Sequence, residues 1–440
     1  MKYIKNIKNA VENNSEKLNF KNFSEKFTVQ DLCQRNAIDY DKVSKIVVEI
    51  KQNVSRNGDK CLRRLTKKFD GANIKNFLVS KEELMVAEKK ISKQLRKAIK
   101  IAARNINKFH KQQLKISNVK IETTKGVRCW QEFRAIERVG LYIPGGTAPL
   151  FSTLLMLAIP AKIAGCKKIV LCTPPQKNGK INPVILAAAK IVGVSEIYKV
   201  GGAQAIFAMS YGTETIPKVD KIFGPGNSFV TAAKMSIANR TAIDMPAGPS
   251  EVLVIADEKS NSKFIAADLL SQAEHGMDSQ CVLVATNRQV IEKVLTEIGT
   301  QLKGLERENI ILSALGDSFI ILVNNIKNAI SISNEYAPEH LILHCEEWKK
   351  LLPKIANAGS VFCGEYAPES AGDYASGTNH TLPTSGFAKN FSGVSVNSFG
   401  KNITFQQITK QGLKKLGSTI EIMAQEEGLG AHKNAVTIRM

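Results

Sequence analysis

Short apolar runs alternate with helix-like patterns along the chain from Glu137 onward. RVGLYIPGG, KKIVLCTPP, EIYKVGG and KVDKIFGPG have the pattern of buried strands, with LLMLAIPAKIAG, PVILAAAKIVG and AQAIFAMSYG as helix patterns between them. The alternation returns in SEVLVIAD, FIAADLLSQAEHG, QCVLVAT, RQVIEKVLTEIG, HLILHC and SVFCG. Strand–helix alternation with buried-type runs predicts parallel, doubly wound sheets. We therefore predict an α/β fold with two layers of similar design.

The two ends of the chain have other patterns. Residues 1 to about 125 have the spacing of charged amphipathic helices, for example over 41–51 and 81–108. Beyond Phe391, SVNSFGKNITFQQIT has an extended pattern and LKKLGSTIEIMAQEEG a helical one. This tail is too short to bury a core alone, so we expect it to pack on the main body or on a partner subunit.

Composition restricts the class of protein. The chain has 440 residues, 43% of them hydrophobic, which is typical of a globular protein. A formal net charge of +21 suggests nucleic-acid binding, but the Lys residues are scattered and aromatics are only 6%, so this alternative is disfavoured. Eight Cys residues without a C-x-x-C pair indicate reduced thiols. Because no secretory signal or bilayer-spanning segment is evident, we expect a cytoplasmic protein without membrane contact.

Five of the six His residues lie after residue 270, and several have polar neighbours at useful spacings. Gln272 and His275 are three residues apart, so on a helix they share a face and can direct a carboxamide oxygen and an imidazole to one metal ion. A polar helix end is the alternative interpretation of this pair.

Glu339 and His340 follow Pro338 at the start of the strand HLILHC. Adjacent Glu and His supply two bases of different strength, which suits separate proton-transfer steps. The pair precedes its strand, so topology alone does not place it in a ligand cleft. A solvated loop pair is the alternative.

Asp373 and His380 lie on the Gly-rich stretch ESAGDYASGTNHTLP, where small residues permit close approach of the backbone to a ligand. Glu427 and His432 stand in EEGLGAHKNA near the end of the tail, where a frayed terminus is the alternative. Together these stretches offer nitrogen and oxygen ligands without Cys, which suits Zn²⁺ or a harder ion such as Mn²⁺.

Three Gly-rich turns in the first α/β layer are candidate nucleotide contacts: 140–146, 201–204 and 224–227. None has the G-x-G-x-x-G fingerprint, because Phe229 stands where the third Gly of GPGNSF would lie. Backbone amides at helix starts can still bind a pyrophosphate. Ordinary turn structure is the alternative for each Gly pair.

Several long stretches closely resemble the histidinol dehydrogenase family. They run in order from about Arg138 to the carboxyl terminus: VGLYIPGGTAPLFSTLLMLAIPAKIAGCKKIVLCTPP, VGGAQAI, DKIFGPGN, DMPAGPSEVLVIAD, LLSQAEHGMDSQ, APEHL, ESAGDYASGTNHTLPT and AHKNAVTIR. The resemblance implies a zinc enzyme that oxidises L-histidinol through L-histidinal to L-histidine and reduces two NAD. It also implies a homodimer in which the tail of one subunit completes the site of the other.

The resemblance assigns roles by motif. The implied zinc ligands, one ion per subunit, are Gln272, His275, Asp373 and His432. The implied acid–base pair is Glu339 and His340. The implied substrate contacts are these four ligands with Ser250, His340, His380 and Glu427, and the implied NAD contacts are Tyr142, Gln204 and Asn227.

The resemblance also implies two incomplete Rossmann-like parallel-sheet domains without the G-x-G-x-x-G fingerprint. We expect a helical extension over 1–35, a discontinuous catalytic domain over 36–138 and 251–391, an NAD-binding domain over 139–250, and a tail over 392–440 that reaches the partner subunit. A metal-dependent hydrolase with the same ligands remains an alternative, with Glu339 as general base on a metal-bound water.

Overall fold

The computed structural model describes residues 1–12, 20–22, 28–33, 35, 40–114, 119–145, 149–246 and 248–440. The strands within these residues are β1 (Lys2–Lys5), β2 (Lys21–Asn22), β3 (Ile121–Thr124), β4 (Val127–Ala135), β5 (Arg138–Tyr142), β6 (Lys168–Thr173), β7 (Glu196–Lys199), β8 (Lys221–Phe223), β9 (Ala242–Ile243), β10 (Glu251–Ala256), β11 (Gln280–Ala285), β12 (Phe319–Leu322), β13 (His340–Leu343), β14 (Ser360–Cys363) and β15 (Gly400–Ile408). The α-helices are α1 (Ile7–Glu12), α2 (Val29–Cys33), α3 (Tyr40–Asp70), α4 (Lys81–Ala87), α5 (Lys93–Lys111), α6 (Phe151–Ala164), α7 (Pro183–Val192), α8 (Gly202–Tyr211), α9 (Ser228–Ile237), α10 (Ser262–Ala273), α11 (Arg288–Gln301), α12 (Glu308–Gly316), α13 (Ile326–Tyr336), α14 (Trp348–Leu351), α15 (Glu369–Tyr374), α16 (Lys410–Glu426) and α17 (Gly430–Thr437).

Two parallel sheets form the centre of the molecule and share one strand order. The first is β7-β6-β5-β8-β9, and the five parallel strands of the second run β14-β13-β10-β11-β12. Numbered in chain order within each sheet, the first reads 3-2-1-4-5 from β7 to β9, and the second reads the same from β12 to β14. In both sheets the order reverses between the first and the fourth strand. The α/β prediction is confirmed, and the similarity of the two layers extends to their topology.

The N-terminal segment, expected to be a helical extension, contains two strands besides the helices α1 and α2. Strands β1 and β2 add antiparallel to the edge of the second sheet, with Tyr3 and Ile4 of β1 paired to Ile321 and Ile320. Both side chains are buried, and Ile7 of α1 is fully buried. The burial of this apolar cluster explains why the segment joins the sheet instead of forming helices alone.

Residues 40–114 pack on the first sheet, whereas we expected 36–138 to group with 251–391. Val47 and Leu62 of α3 belong to the core cluster around Ile206 of α8. On the opposite face, Ile99 of α5 packs in the cluster that contains Leu154 of α6. The amphipathic spacing of these helices predicts a buried face but does not say which sheet covers it, and this is the reason for the difference.

The tail begins with a strand that belongs to neither large sheet. β15 pairs antiparallel with β4, which also pairs with β3, so residues 119–135 and the tail form one three-stranded sheet. The helices α16 and α17 follow and contact each other. The extended and helical parts of the tail are thus confirmed. Among the described residues, no helix has the length and apolar character needed to cross a membrane.

Candidate active site

Six of the polar residues predicted from the sequence lie together near the amino-terminal ends of β10 and β13: Gln272, His275, Glu339, His340, Asp373 and His380. His340 is the first residue of β13 and lies opposite Val252 of β10. Open α/β sheets generally bind ligands at the carboxyl ends of their strands. This cluster lies at the other edge of the second sheet, so the general rule of topology does not locate it.

A strained residue precedes the Glu339–His340 pair. Ala337 ends helix α13 with φ 52° and ψ 65°, and its backbone N–H donates to the carbonyl of Ser333 at 2.8 Å. This left-handed conformation is uncommon for a residue with a side chain, and such residues concentrate at functional sites. Together with Pro338, it directs the chain from α13 into the sheet at Glu339.

The main chain of Glu251 holds both members of the pair. Its N–H donates to Oε2 of Glu339 at 3.0 Å, and its carbonyl accepts from Nδ1 of His340 at 3.2 Å. A carbonyl can only accept, so the proton of the neutral imidazole lies on Nδ1. The other ring nitrogen, Nε2, is buried, has no hydrogen-bond partner among the described residues and lies 3.9 Å from Oδ1 of Asp373. His340 therefore presents an unprotonated nitrogen to the site.

Burial controls the protonation of the pair. It lowers the pKa of His340 to about 3, with His275 and His380 adding to the effect, so the ring is neutral at physiological pH. Burial also raises the pKa of Glu339 well above its ordinary value, and the charges of Glu251 and Asp373 act in the same direction. These are the shifts expected of groups placed for proton transfer.

A cluster of metal-ligand atoms lies beside His340. His275, Glu369 and Asp373 each offer one ligand atom within 4.8 Å of the others. Burial raises the pKa of Asp373 to about 6 and that of Glu369 well above its ordinary value. A divalent cation would offset the cost of ionising these buried carboxyl groups. The donor set of imidazole and carboxylates without thiolate fits Zn²⁺ or Mn²⁺.

Gln272 lies in the last turn of α10 and is fully buried, and His275 lies two residues beyond the end of that helix. With its amide nitrogen turned toward Glu369, Gln272 donates to Oε1 at 2.7 Å and to Oε2 at 3.2 Å. The same nitrogen lies 3.3 Å from Nδ1 of His340, whose proton is directed to the Glu251 carbonyl. This orientation leaves the amide oxygen as the atom available to a metal. Glu369 was not predicted from the sequence. The available signal was its position four residues before Asp373, which puts both on one face of helix α15.

His380 connects the two halves of the molecule. Its Nδ1 donates to the carbonyl of Asp373 at 2.9 Å, and its Nε2 lies 3.1 Å from the hydroxyl of Thr153 at the start of α6. Burial lowers the pKa of His380 to about 4, so the ring is neutral and Nε2 accepts from Thr153. The contact joins the polar cluster of the second sheet to the first sheet.

Of the remaining predicted residues, Ser250 borders this cluster, whereas Glu427 and His432 lie on the tail. Ser250 is partly buried and directly precedes Glu251 at the start of β10. Glu427 and His432 are exposed on the helical tail, at the end of α16 and within α17. The metal-ligand cluster of this chain does not include His432.

The predicted nucleotide contacts surround one cavity in the first sheet. Tyr142, Gln204 and Asn227 all line a cavity of about 830 Å³. These residues follow or end β5, β7 and β8, so the cavity lies at the carboxyl ends of the strands, where the strand order reverses. Its position is that of a ligand site in a doubly wound sheet.

Local contacts shape the walls of this cavity. The hydroxyl of Tyr142 accepts from the N–H of Gly202 at 3.0 Å, and Oδ1 of Asn227 accepts from Val230 at 3.2 Å and caps α9. Gly224 has φ 126°, and a Cβ there would lie 2.1 Å from the carbonyl oxygen of Tyr142. Only glycine fits this turn without displacing β5.

Asp70, at the end of α3, also lines the cavity and was not predicted. Its Oδ2 is buried with no hydrogen-bond partner among the residues described, and burial raises the pKa of Asp70 to about 6. The sequence carries no motif for this residue, because it comes from a helix far upstream of the sheet that it joins.

The two sheets thus carry a proton-transfer and metal-ligand cluster and a separate cavity suited to a nucleotide, which is the arrangement of a dehydrogenase. A family model described as histidinol dehydrogenase matches residues 33–440. The chain is 54% identical over 411 residues to the histidinol dehydrogenase of Bacteroides fragilis (strain YCH46), covering 93% of this chain and 96% of that one. It is 52% identical over 403 residues to that of Campylobacter jejuni (strain RM1221), covering 91% and 93%.

A solved structure agrees. The crystal structure of histidinol dehydrogenase from Elizabethkingia anophelis superposes with a TM-score of 0.91 at 53% identity and covers 93% of this chain and 95% of that one. The chain belongs to the histidinol dehydrogenase family and is a dehydrogenase.

Proposed function

We propose that this enzyme oxidises L-histidinol through L-histidinal to L-histidine, with zinc bound at the cluster beside His340 and with two NAD reduced. The observation that carries the proposal is the orientation of His340. Its Nδ1 donates to the Glu251 carbonyl, and its buried Nε2 has no hydrogen-bond partner in the part of the chain that the structure describes. A neutral imidazole in this state is ready to accept a proton from an alcohol.

The zinc would be held by Gln272, His275 and Asp373 of one subunit and by His432 of the partner chain. Bound there, zinc would supply a Lewis acid that anchors the imidazole and amino nitrogens of the substrate. The proximity of His275 and Asp373, with Oδ2 of the carboxylate 3.7 Å from Nε2 of the ring, supports this assignment. The donation from Gln272 to Glu369 supports the use of its amide oxygen.

In the alcohol half-reaction, Nε2 of His340 takes the hydroxyl proton while the adjacent carbon gives up a hydride. NAD would be held in the cavity by Tyr142, Gln204 and Asn227 and would supply the hydride acceptor. Positioned proton transfer of this kind contributes about 10²–10⁴-fold to the rate.

In the aldehyde half-reaction, Glu339 takes a proton from a water molecule as the water oxygen attacks the aldehyde carbon, and protonated His340 returns its proton to the carbonyl oxygen, which gives the hydrated form. His340, neutral again, then accepts a proton from the hydrate as the second hydride leaves. Overall, one alcohol, one water and two NAD⁺ yield one carboxylate, two NADH and three protons. Ser250, His380 and Glu427 bind the substrate, with the carboxylate of Glu427 accepting a hydrogen bond from the substrate's amino group.

Exposure of the tail supports a site shared between two subunits. Glu427 and His432 are exposed in the single chain, and Ile422, Met423 and Ile438 beside them are exposed apolar residues. A homodimer would cover this apolar surface and bring the two polar residues to the partner's cluster.

Mixing two inactive variants tests the shared site. His340→Gln disables the body of one chain and His432→Asn disables the tail of the other. If the tail completes the partner's site, a statistical mixture regains roughly a quarter of the wild-type sites, because each heterodimer has one intact site. Co-refolded protein with no gain over the separate variants would refute the shared site.

The proposed reaction is tested by NADH formation. We expect NADH from L-histidinol and NAD, and none when either is left out. A metal-dependent hydrolase with the same ligands would act without NAD, and it has no use for the cavity of the first sheet. Turnover of an ester or amide substrate with no NADH from L-histidinol would favour the hydrolase.

A further inference from the structure

Arg35, in the N-terminal segment, contacts the side chain of Glu251, whose main chain binds Glu339 and His340. Its Nε and Nη2 donate to the two carboxylate oxygens of Glu251 at 2.7 and 2.9 Å. Oε1 of Glu251 also accepts from the backbone N–H of Ser385 at 3.0 Å. Two parallel bonds fix the orientation of a carboxylate as well as its position. The Glu251 side chain, which is buried, is therefore held in one orientation.

The same guanidinium also holds the end of α13. It lies over the ring of Tyr336, 3.9 Å from the centroid, and its Nη2 donates to the Tyr336 carbonyl at 2.8 Å. The Tyr336 hydroxyl in turn donates to Oε1 of Gln280 at 2.7 Å. Tyr336 stands three residues before Glu339 and is followed by the strained Ala337. Arg35 thus ties the start of β10 to the segment that leads into the catalytic pair.

The backbone of Glu251 links the contact with Arg35 to the positions of the two catalytic side chains. Its N–H and its carbonyl are the groups that bind Glu339 and His340, so a rotation of the Glu251 peptide planes would move both catalytic side chains together. Fixing the carboxylate by Arg35 and Ser385 resists such a rotation. Displacement of a reacting group by about 1 Å can cost about 10²-fold in rate.

We propose that Arg35 is a positioning residue for both half-reactions. It acts through Glu251 and Tyr336, and it does not touch the substrate. The proposal rests on the proposed function, because it assigns Glu339 and His340 the proton transfers described above. It gives the N-terminal segment a role in catalysis that its position on the far edge of the sheet does not suggest.

A purely structural role predicts a different result from a positioning role. Removing one member of a buried ion pair destabilises the fold strongly, whereas replacing both members is often neutral. Arg35→Met alone would leave the Glu251 carboxylate buried without its partner, and we expect a lowered melting temperature. In Arg35→Met/Glu251→Gln both charges are gone, so we expect the melting temperature to recover.

Catalysis is expected to behave differently from stability. In the double variant the bidentate tie is still missing, so kcat should remain about 10- to 100-fold below wild type with L-histidinol and with L-histidinal. KM for NAD should stay unchanged, because the cavity lies on the other sheet. Arg35→Lys keeps the charge but loses the planar fork, so it should fold and show the same loss in kcat.

The matched control is Arg138→Lys. Arg138 makes a similar two-point contact with Asp220, at 3.2 Å from Nε and 2.9 Å from Nη2, but this pair is exposed and belongs to the first sheet. We expect wild-type kcat from this variant. Zinc content is measured in every sample, so that a change in kcat is not a change in metal loading.

A folded double variant or Arg35→Lys variant with wild-type kcat would overturn the positioning role while leaving the proposed reaction intact. A loss in kcat that recovers together with the melting temperature would also overturn it. Wild-type protein that forms no NADH from L-histidinol would remove the proposed function, and the positioning role would fall with it.

Discussion

Glu339→Gln separates the two half-reactions most cleanly. Oε2 of Glu339 accepts from the N–H of Glu251 at 3.0 Å, and the amide oxygen of Gln can accept the same bond. The variant has nearly the same shape and removes an ionisable group from a buried position, so we expect little change in stability. What it loses is the carboxylate that would take a proton from water.

The expected loss follows from this change. A positioned general base contributes about 10²–10⁴-fold, so oxidation of L-histidinal should slow by that factor. Oxidation of L-histidinol to the aldehyde uses Nε2 of His340, which keeps its bond to the Glu251 carbonyl, and it should change by less than about threefold. Single-turnover measurements with each substrate in rapid-mixing experiments separate the two rates.

The pH dependence gives a second readout. Burial raises the pKa of Glu339 above its ordinary value, so its basic form is gained as pH rises through a window above the usual range of Glu. The aldehyde half-reaction of the wild type should therefore lose rate as pH falls through that window, and Glu339→Gln should lack this limb. His340, with a pKa lowered to about 3, adds no limb between pH 5 and 8.

The control is Glu335→Gln, on helix α13 four residues away, whose side chain is exposed and paired with Lys389 at 3.1 Å. It should leave both half-reactions at wild-type rates. Equal slowing of the two half-reactions in Glu339→Gln would refute the division of roles between Glu339 and His340.

Three further variants probe the metal, the cavity and the turn beside it. His432→Asn should weaken zinc binding by more than the roughly 10–100-fold typical of outer-shell changes, and unchanged zinc content after dialysis would remove it from the ligands. Asp70→Asn should raise KM for NAD about tenfold near pH 8, where the wild-type carboxyl is charged. The difference from wild type should be smaller below pH 6, where that carboxyl is protonated. A variant whose KM for NAD equals that of the wild type at both pH values would exclude an NAD contact. Gly224→Ala should lower the free energy of unfolding by at least about 1–3 kcal/mol in denaturant titrations, since its φ of 126° and the nearby Tyr142 carbonyl leave no room for Cβ, and wild-type stability would contradict this.

The strands and helices of the two sheets follow closely from periodicity, because buried parallel strands are continuous apolar runs. Which sheet a helix covers does not follow, because the spacing that buries Ile99 of α5 fits any apolar surface. Strand β1 was missed because four residues at a sheet edge carry too little pattern, although Tyr3 and Ile4 are both buried.

The candidate site, like the fold, follows from the sequence only in part. Gln272 and His275 could be suggested as a pair from their three-residue spacing, although His275 lies just beyond the end of α10. Asp373 could be suggested from its Gly-rich surroundings. Arg35 could not be connected to Glu251, because the two are 216 residues apart and neither belongs to a motif. The ordered resemblance to a family joined the dispersed polar residues, whereas the backbone bonds from Glu251 became visible only in three dimensions.

The most direct measurement is the stoichiometry of the complete reaction with limiting L-histidinol and excess NAD. We expect two NADH and one L-histidine per L-histidinol, loss of this turnover after removal of the metal by a chelator, and its recovery on addition of Zn²⁺. One NADH per L-histidinol with free aldehyde as the product, or full turnover by metal-free protein, would contradict the proposed zinc-dependent two-step oxidation.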